Sequence, residues 1–189
     1  MRMFFKSNFK NLHLSIYLLF ILFLFSCVND LDTIKKVTFK SGAPDDVTEN
    51  LKIIQTDSGF AKFELSAKLA ESYSKPESIT KFKDGLKVNF FSEDGKVVSC
   101  LTALYGEMNI SKGTFYVKDS VQLKNFEKKQ QMETEELTWT RADSSIFTQK
   151  AVIVRNSQGV LFGDGIRSKQ DFSTYTFLRP KGKIDFDKK

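Results

Sequence analysis

From Phe60 to Tyr73, apolar and polar positions alternate. Ala61, Phe63, Leu65, Ala67 and Leu69 point one way; Lys62, Glu64, Ser66 and Lys68 point the other. A period of two is the signature of a half-buried β-strand. A helix over Phe63–Tyr73 competes, because Ala, Leu, Lys and Glu all favour helices, but the regular polar face supports the strand. At ~3.3 Å per residue such a strand is ~46 Å long, so a bend or bulge is expected within it.

Similar runs fill the rest of the chain. Leu51–Thr56 reads as a strand, joined to the next by Asp57-Ser58-Gly59. Ile79–Phe82 ends at Asp84-Gly85, and Leu86–Ser92 follows with Leu86, Val88 and Phe90 on one face. Val97–Tyr105, Gly113–Val117, Val121–Phe126 and Met132–Thr140 come next; Leu101 and Ala103 share a face, as do Leu137 and Trp139. Ser145–Arg155, with Val152 and Val154 on one face, precedes Val160–Ser168, Phe172–Leu178, a turn at Pro180-Lys181-Gly182, and Ile184–Phe186. No break is long enough for a helical crossover, so neighbouring strands are antiparallel. The expectation is one all-β domain of ten or more strands over residues 51–189. Apolar residues on both faces of some strands (Phe90 beside Phe91, Phe162 beside Leu161) point to two curled sheets around an apolar interior, or to strand contacts with a partner. Gly163-Asp164-Gly165 reads as a bulge, with close approach of a backbone or ligand as the alternative.

The N-terminus has a different pattern. Arg2, Lys6 and Lys10 precede an almost wholly apolar run, Leu12–Phe25, ending in Leu24-Phe25-Ser26-Cys27. The run is shorter than the ~20 residues that span a bilayer and suits a signal-peptide core. Its end resembles the lipobox of bacterial lipoproteins. Residues 1–26 then form a cleaved signal peptide and Cys27 becomes the lipidated N-terminus. Residues 27–50 are polar and mixed, broken by Ser41-Gly42-Ala43-Pro44, and read as a tether.

Composition narrows the chemistry. The formal charge is +6 over 189 residues; without Arg2, Lys6 and Lys10 it is about +3, which gives no argument for nucleic acid. The one histidine, His13, lies in the signal. With Cys27 acylated, Cys100 has no partner for an intramolecular disulfide and reads as a small buried hydrophobe. His-based triads and the usual zinc sites are excluded. Glu133, Glu135 and Glu136 lack an opposing carboxylate cluster and read as a solvated strand face. No enzyme, cofactor or metal is expected.

Several segments, in order and at strand-length spacing, resemble the LptC family of the lipopolysaccharide exporter in a lipoprotein-anchored form. They are Ala67-Lys68-Leu69-Ala70 with Tyr73, Val88-Asn89-Phe90-Phe91 before Asp94-Gly95, Ser99-Cys100-Leu101-Thr102-Ala103 with Gly106, and Val121-Gln122-Leu123. Thr134-Glu135-Glu136-Leu137-Thr138-Trp139, Ile146-Phe147-Thr148 with Val152, and Gly163-Asp164-Gly165-Ile166 complete the series. Many family members carry a transmembrane helix where this chain has a lipobox.

The resemblance implies an LptA-like antiparallel β-jellyroll with an open apolar groove. It would take lipopolysaccharide from the inner-membrane ABC transporter LptBFG and pass it to an LptA-type bridge, lipid-anchored on the periplasmic face of the inner membrane. Face alternation assigns the groove to Phe63, Leu65, Ala67, Leu69, Val88 and Phe90, with Leu101, Ala103, Leu137, Trp139, Val152 and Val154. Leu51, Ile53 and Thr56 would form the edge facing the transporter. Phe172, Tyr175, Phe177 and Phe186 would form the edge facing the bridge. The alternatives are a cell-surface β-sandwich lipoprotein binding glycan or protein, and a structural spacer with a dry, filled interior.

Overall fold

A computed structural model describes residues 42–185. The signal peptide, Cys27, most of the tether and Phe186 lie outside the described residues. Residues from Ala43 onward form one compact unit.

Ten strands follow one another: β1 (Asp46–Asp57), β2 (Phe60–Tyr73), β3 (Ile79–Phe91), β4 (Val97–Ala103), β5 (Tyr105–Asn109), β6 (Thr114–Asn125), β7 (Gln130–Thr140), β8 (Ser145–Asn156), β9 (Gly159–Lys169) and β10 (Tyr175–Asp185). All belong to one antiparallel sheet in the order β1-β2-β3-β4-β6-β7-β8-β9-β10, with β5 continuing the line of β4 between β3 and β6. The strand over Phe60–Tyr73 has the predicted bounds and is joined to β1 through Ser58 (φ 52°) and Gly59 (φ 86°), the left-handed pair that a tight hairpin demands. Pairing begins at Asp46, inside the stretch read as tether.

Three expected chain breaks are interruptions within strands, and one break falls where none was expected. Asp84-Gly85 does not turn the chain, because β3 runs through it. Residues 119–120 lie inside β6, so Gly113–Val117 and Val121–Phe126 are one strand. Pro180-Lys181-Gly182 lies inside β10. Leu104, placed mid-strand in the run Val97–Tyr105, is instead the break between β4 and β5.

Most of these irregularities fall on one line across the sheet. Asn50 lies opposite Lys68, and Lys68 opposite Asp84-Gly85. The Gly85 amide donates to the Leu104 carbonyl at 3.0 Å, and the Leu104 amide to the Asp119 carbonyl at 2.9 Å. Asp119 and Ser120 face Glu135, and Gln149 and Lys150 face Gly165, which faces Leu178. Asn50, Asp84, Gly85, Asp119, Ser120 and Gly165 are left-handed, with φ between 52° and 97°. Short polar side chains and glycine tolerate this region best.

Along this line the inner face steps by three or four residues instead of two: Ala67 to Ala70, Phe82 to Leu86, Val117 to Val121, Thr148 to Val152. Bulges bend a strand and sharpen its twist. Aligned through the sheet, they make a spine about which it folds into two facing leaves, each long strand contributing to both. This is the jellyroll-like arrangement, built from a single sheet rather than two. The buried cluster fills the fold: Leu65, Phe82, Val117, Val121, Leu123, Met132, Leu137, Val152, Val154 and Ile166 are each at most 2% exposed.

The same line corrects one position. Leu69 does not join Ala67 on the inner face. The irregular pairing of Lys68 with Asp84-Gly85 brings Ala70 there instead, 3% exposed and opposite Phe82, and turns Leu69 toward Lys83 on the outer face.

The candidate groove and its two rims

The hairpins of the two leaves meet along the rim away from the spine. One leaf presents the β1–β2 turn and the ends of β3 and β6; the other presents the β5–β6 turn, the end of β7 and residues 170–174. A cavity of about 100 Å³ opens between them. Ile53, Phe63, Leu65, Val88, Phe90, Leu101 and Leu123 line it from one leaf, and Met108, Ile110, Phe115, Val117, Leu137, Trp139 and Ile146 from the other.

Phe63 and Trp139 mark its mouth. They stand on β2 and β7, which several strands separate in the sheet, yet their rings meet edge-on at 6.4 Å. Only folding of the sheet brings them together. Phe63 also packs on Phe90 at 6.3 Å. The Trp139 indole N–H donates to Gln170 Oε1 at 3.1 Å, which satisfies the polar edge of a ring whose body faces the groove.

At the other end the rim is latched. Phe172 is fully buried and stacks on Tyr175 at 5.1 Å, and Tyr175 meets Phe177 edge-on at 6.0 Å. Asn125 Nδ2 donates to the Asp171 carbonyl at 2.8 Å, and the Gln130 amide donates to the Phe172 carbonyl. These bonds join the connection after β9 to the β6–β7 hairpin of the opposite leaf. Phe172 was expected on an edge strand. It sits instead in the β9–β10 connection, left-handed at φ 54°, and its ring closes the core rather than facing a partner.

The other expected groove positions divide. Phe63, Leu65, Val88, Phe90, Leu101, Leu137 and Trp139 line the cavity. Ala67, Ala103, Val152 and Val154 are buried in the core but do not reach it. Phe115, Val117, Met108, Leu123 and Ile146 are lining residues that the alternation argument passed over. Each lies on a strand with a readable inner face, so the signal was present; what was missing was which strands face each other.

Among the described residues two strands end the sheet. β1, with Leu51, Ile53 and Thr56, ends the sheet on one side. β10, with Tyr175 and Phe177, ends it on the other. Ile53 serves twice, since its side chain lines the cavity. Gly163 and Gly165 explain how β10 is held. A Cβ on Gly163 would lie 2.5 Å from the Phe177 ring and 2.8 Å from the Arg179 carbonyl, while Gly165 (φ 74°) is the β9 member of the spine. The motif is therefore a close approach of ring and backbone that lies opposite the β8 bulge at Gln149-Lys150 rather than containing it, and Asp164 between the glycines pairs with Lys181 at 2.7 Å.

Ionic chemistry stays outside the groove. Lys83 and Tyr73 bond the Glu71 carboxylate at 2.8 and 2.7 Å and hold it below the usual carboxylate range. Burial, then the hydrogen bond to Glu136, pushes the Tyr116 hydroxyl up to about 12. Cys100 is half-buried on the outer face, and burial raises its thiol. Among the described residues no group of His, Cys, Asp and Glu could hold a metal ion.

An apolar slot between two leaves can shelter hydrocarbon and offers no acid or base to react with it. No curated protein matches the chain at a significant level. A family model described as lipopolysaccharide-assembly, LptC-related, matches residues 14–180; the chain belongs to the LptC family, the transport components that act in lipopolysaccharide movement at the periplasmic side of the inner membrane.

Proposed function

We propose that this chain takes acyl chains of lipopolysaccharide between its two leaves, receiving the lipid from the inner-membrane transporter and passing it to an LptA-type bridge. The observation that carries the reading is the apolar cavity whose mouth is the Phe63–Trp139 contact. Exposing one chain of about a dozen CH2 groups to water costs roughly 10 kcal/mol, so a carrier lined by Phe, Leu, Val and Met needs no further chemistry. A spacer would have a filled interior, which the cavity argues against.

The cavity of about 100 Å³ is small beside the ~300–1,000 Å³ of ordinary ligand pockets. Loading therefore requires the leaves to part. The mouth is held across the gap by ring contact alone; the latched end has a buried ring and two bonds to backbone carbonyls. Parting at the mouth, about the spine, is the easier motion.

The free edges suit strand addition: β1 toward the transporter and β10 toward the bridge. Cys27, once lipidated, would hold the domain at the inner membrane. The test is photocrosslinking in cells, with a photoreactive residue at Phe63, Phe90 or Trp139 and at Lys128 as the outer control. ATP-dependent lipopolysaccharide adducts at the interior sites and none at Lys128 are expected. No interior adduct in a folded protein at normal levels overturns the reading. Deleting β10 from residue 175 onward, which keeps Phe172, should abolish capture of the bridge in a pull-down; intact capture would reject β10 as that edge.

A further inference from the structure

The groove lining has a charge asymmetry that its apolar walls do not explain. Among the residues that line it, Arg141 is the sole charged one, and no carboxylate is present. The rim amides are already engaged. Gln170 accepts from Trp139, Gln55 donates to the Thr56 carbonyl, and Asn109 bonds both Glu77 and the Lys112 amide. Neighbouring cations are neutralised: Lys112 pairs with Glu77 at 2.9 Å and Arg167 with Asp143 at 3.7 Å. Arg141 is exposed, and among the described residues its guanidinium has no acid within ion-pair range.

Its position is set by backbone. The Arg141 amide donates to the Gly113 carbonyl at 2.9 Å, which ties the β7 end to the β5–β6 turn. Gly113 (φ 62°) lies under the side-chain stem; a Cβ there would sit 3.4 Å from the Arg141 Cβ and 3.9 Å from its Cδ. Arg141 is two residues beyond Trp139 and lines the groove from the same leaf.

We infer that Arg141 is a headgroup-binding residue: it receives the phosphate of an acylated, phosphorylated lipid whose hydrocarbon enters the groove beside Trp139. This rests on the groove reading and adds the class of headgroup to it. A guanidinium is planar, permanently charged and able to bond two phosphate oxygens at once. Lining with one cation and no acid favours an anionic amphiphile over a neutral one of the same chain length.

Trp139, the single tryptophan of the chain, is a built-in reporter. The test titrates the full chain in phosphate-free buffer with dodecyl phosphate, dodecyl maltoside or inorganic phosphate. Arg141→Gln should weaken dodecyl phosphate about tenfold and leave dodecyl maltoside within about twofold. Arg141→Lys should recover part of the loss, and Lys150→Gln, at the spine, should change neither. Added salt should weaken only the phosphate amphiphile. An equal loss for both amphiphiles, or no loss for either, overturns the inference. Displacement by inorganic phosphate alone at similar concentration also overturns it, because the site would then be a free-anion site. If the wild type binds neither amphiphile, the groove reading itself fails.

Discussion

The two ends of the rim away from the spine use similar residues to opposite effect. At one end Phe172 is fully buried, stacked on Tyr175 and held through its own carbonyl and that of Asp171 by side chains of the other leaf. At the other, Phe63 is half-buried and meets Trp139 across the gap by ring contact alone. Burial with hydrogen-bonded backbone makes a clasp. Ring on ring without backbone bonds makes a contact that can part and re-form. A sheet folded about a spine can thus be fixed at one end and openable at the other.

The sharpest way to break this comparison is one substitution made in both places. Phe172→Ala should destabilise the domain by about 3–5 kcal/mol, the usual range for a buried Phe. Phe63→Ala should cost about 1–2 kcal/mol, since much of its surface already meets solvent or the open cavity. Denaturant melts of the two variants check this; equal losses would mean that the mouth is as much core as the latch.

Asn125→Ala comes next, at about 1–3 kcal/mol. It leaves the Asp171 carbonyl and the Lys128 amide without the partners they have now. Faster amide exchange in residues 170–174, with β2 and β3 unaffected, would place the loss at the latch. Gly163→Ala should cost a similar or smaller amount by pushing on the Phe177 ring and the Arg179 carbonyl. Its effect should be confined to β10, which exchange of the β10 amides would report.

The smallest effect is ionic. Because the Glu71 carboxyl is held below its ordinary 4.5, its pairing with Lys83 and Tyr73 stabilises the fold above that pH. The contribution is lost as pH falls through the lowered folded value. Glu71→Gln should flatten that part of the acid melt while leaving the mouth unchanged.

Much of the groove was legible from alternation. Leu65, Val88, Leu101 and Leu137 needed only a period of two to reveal their face. The spine was not legible as a feature. Asp84-Gly85 carries an ordinary turn signal, and local chemistry cannot distinguish a turn that reverses the chain from a bulge that bends it. That distinction is made by the partner strand, through hydrogen bonds such as Gly85 to Leu104. Leu69 was misplaced for the same reason, since the irregular pairing of Lys68 with Asp84-Gly85 exchanges the faces beyond it. Phe172 opens the run Phe172–Leu178 that reads as a strand. Its left-handed backbone and the carbonyl bonds that hold it depend on Asn125 and Gln130, far away in sequence. Arg141 could not be singled out at all, because its isolation from acids is a property of the assembled rim.

The most direct test of the account is the distance across the mouth before and after loading. Spin labels at Gln55 and Ile110, on opposite leaves, with Cys27→Ser and Cys100→Ser to remove both native thiols, would be measured by pulsed dipolar spectroscopy with and without lipopolysaccharide. A second pair at Asp119 and Lys150 would monitor the spine. The account predicts a longer, broader distance at the mouth with lipid and an unchanged distance at the spine. An unchanged mouth under conditions where lipid crosslinks to Trp139, or equal lengthening of both pairs, would contradict a groove that opens by parting its leaves about the line of bulges.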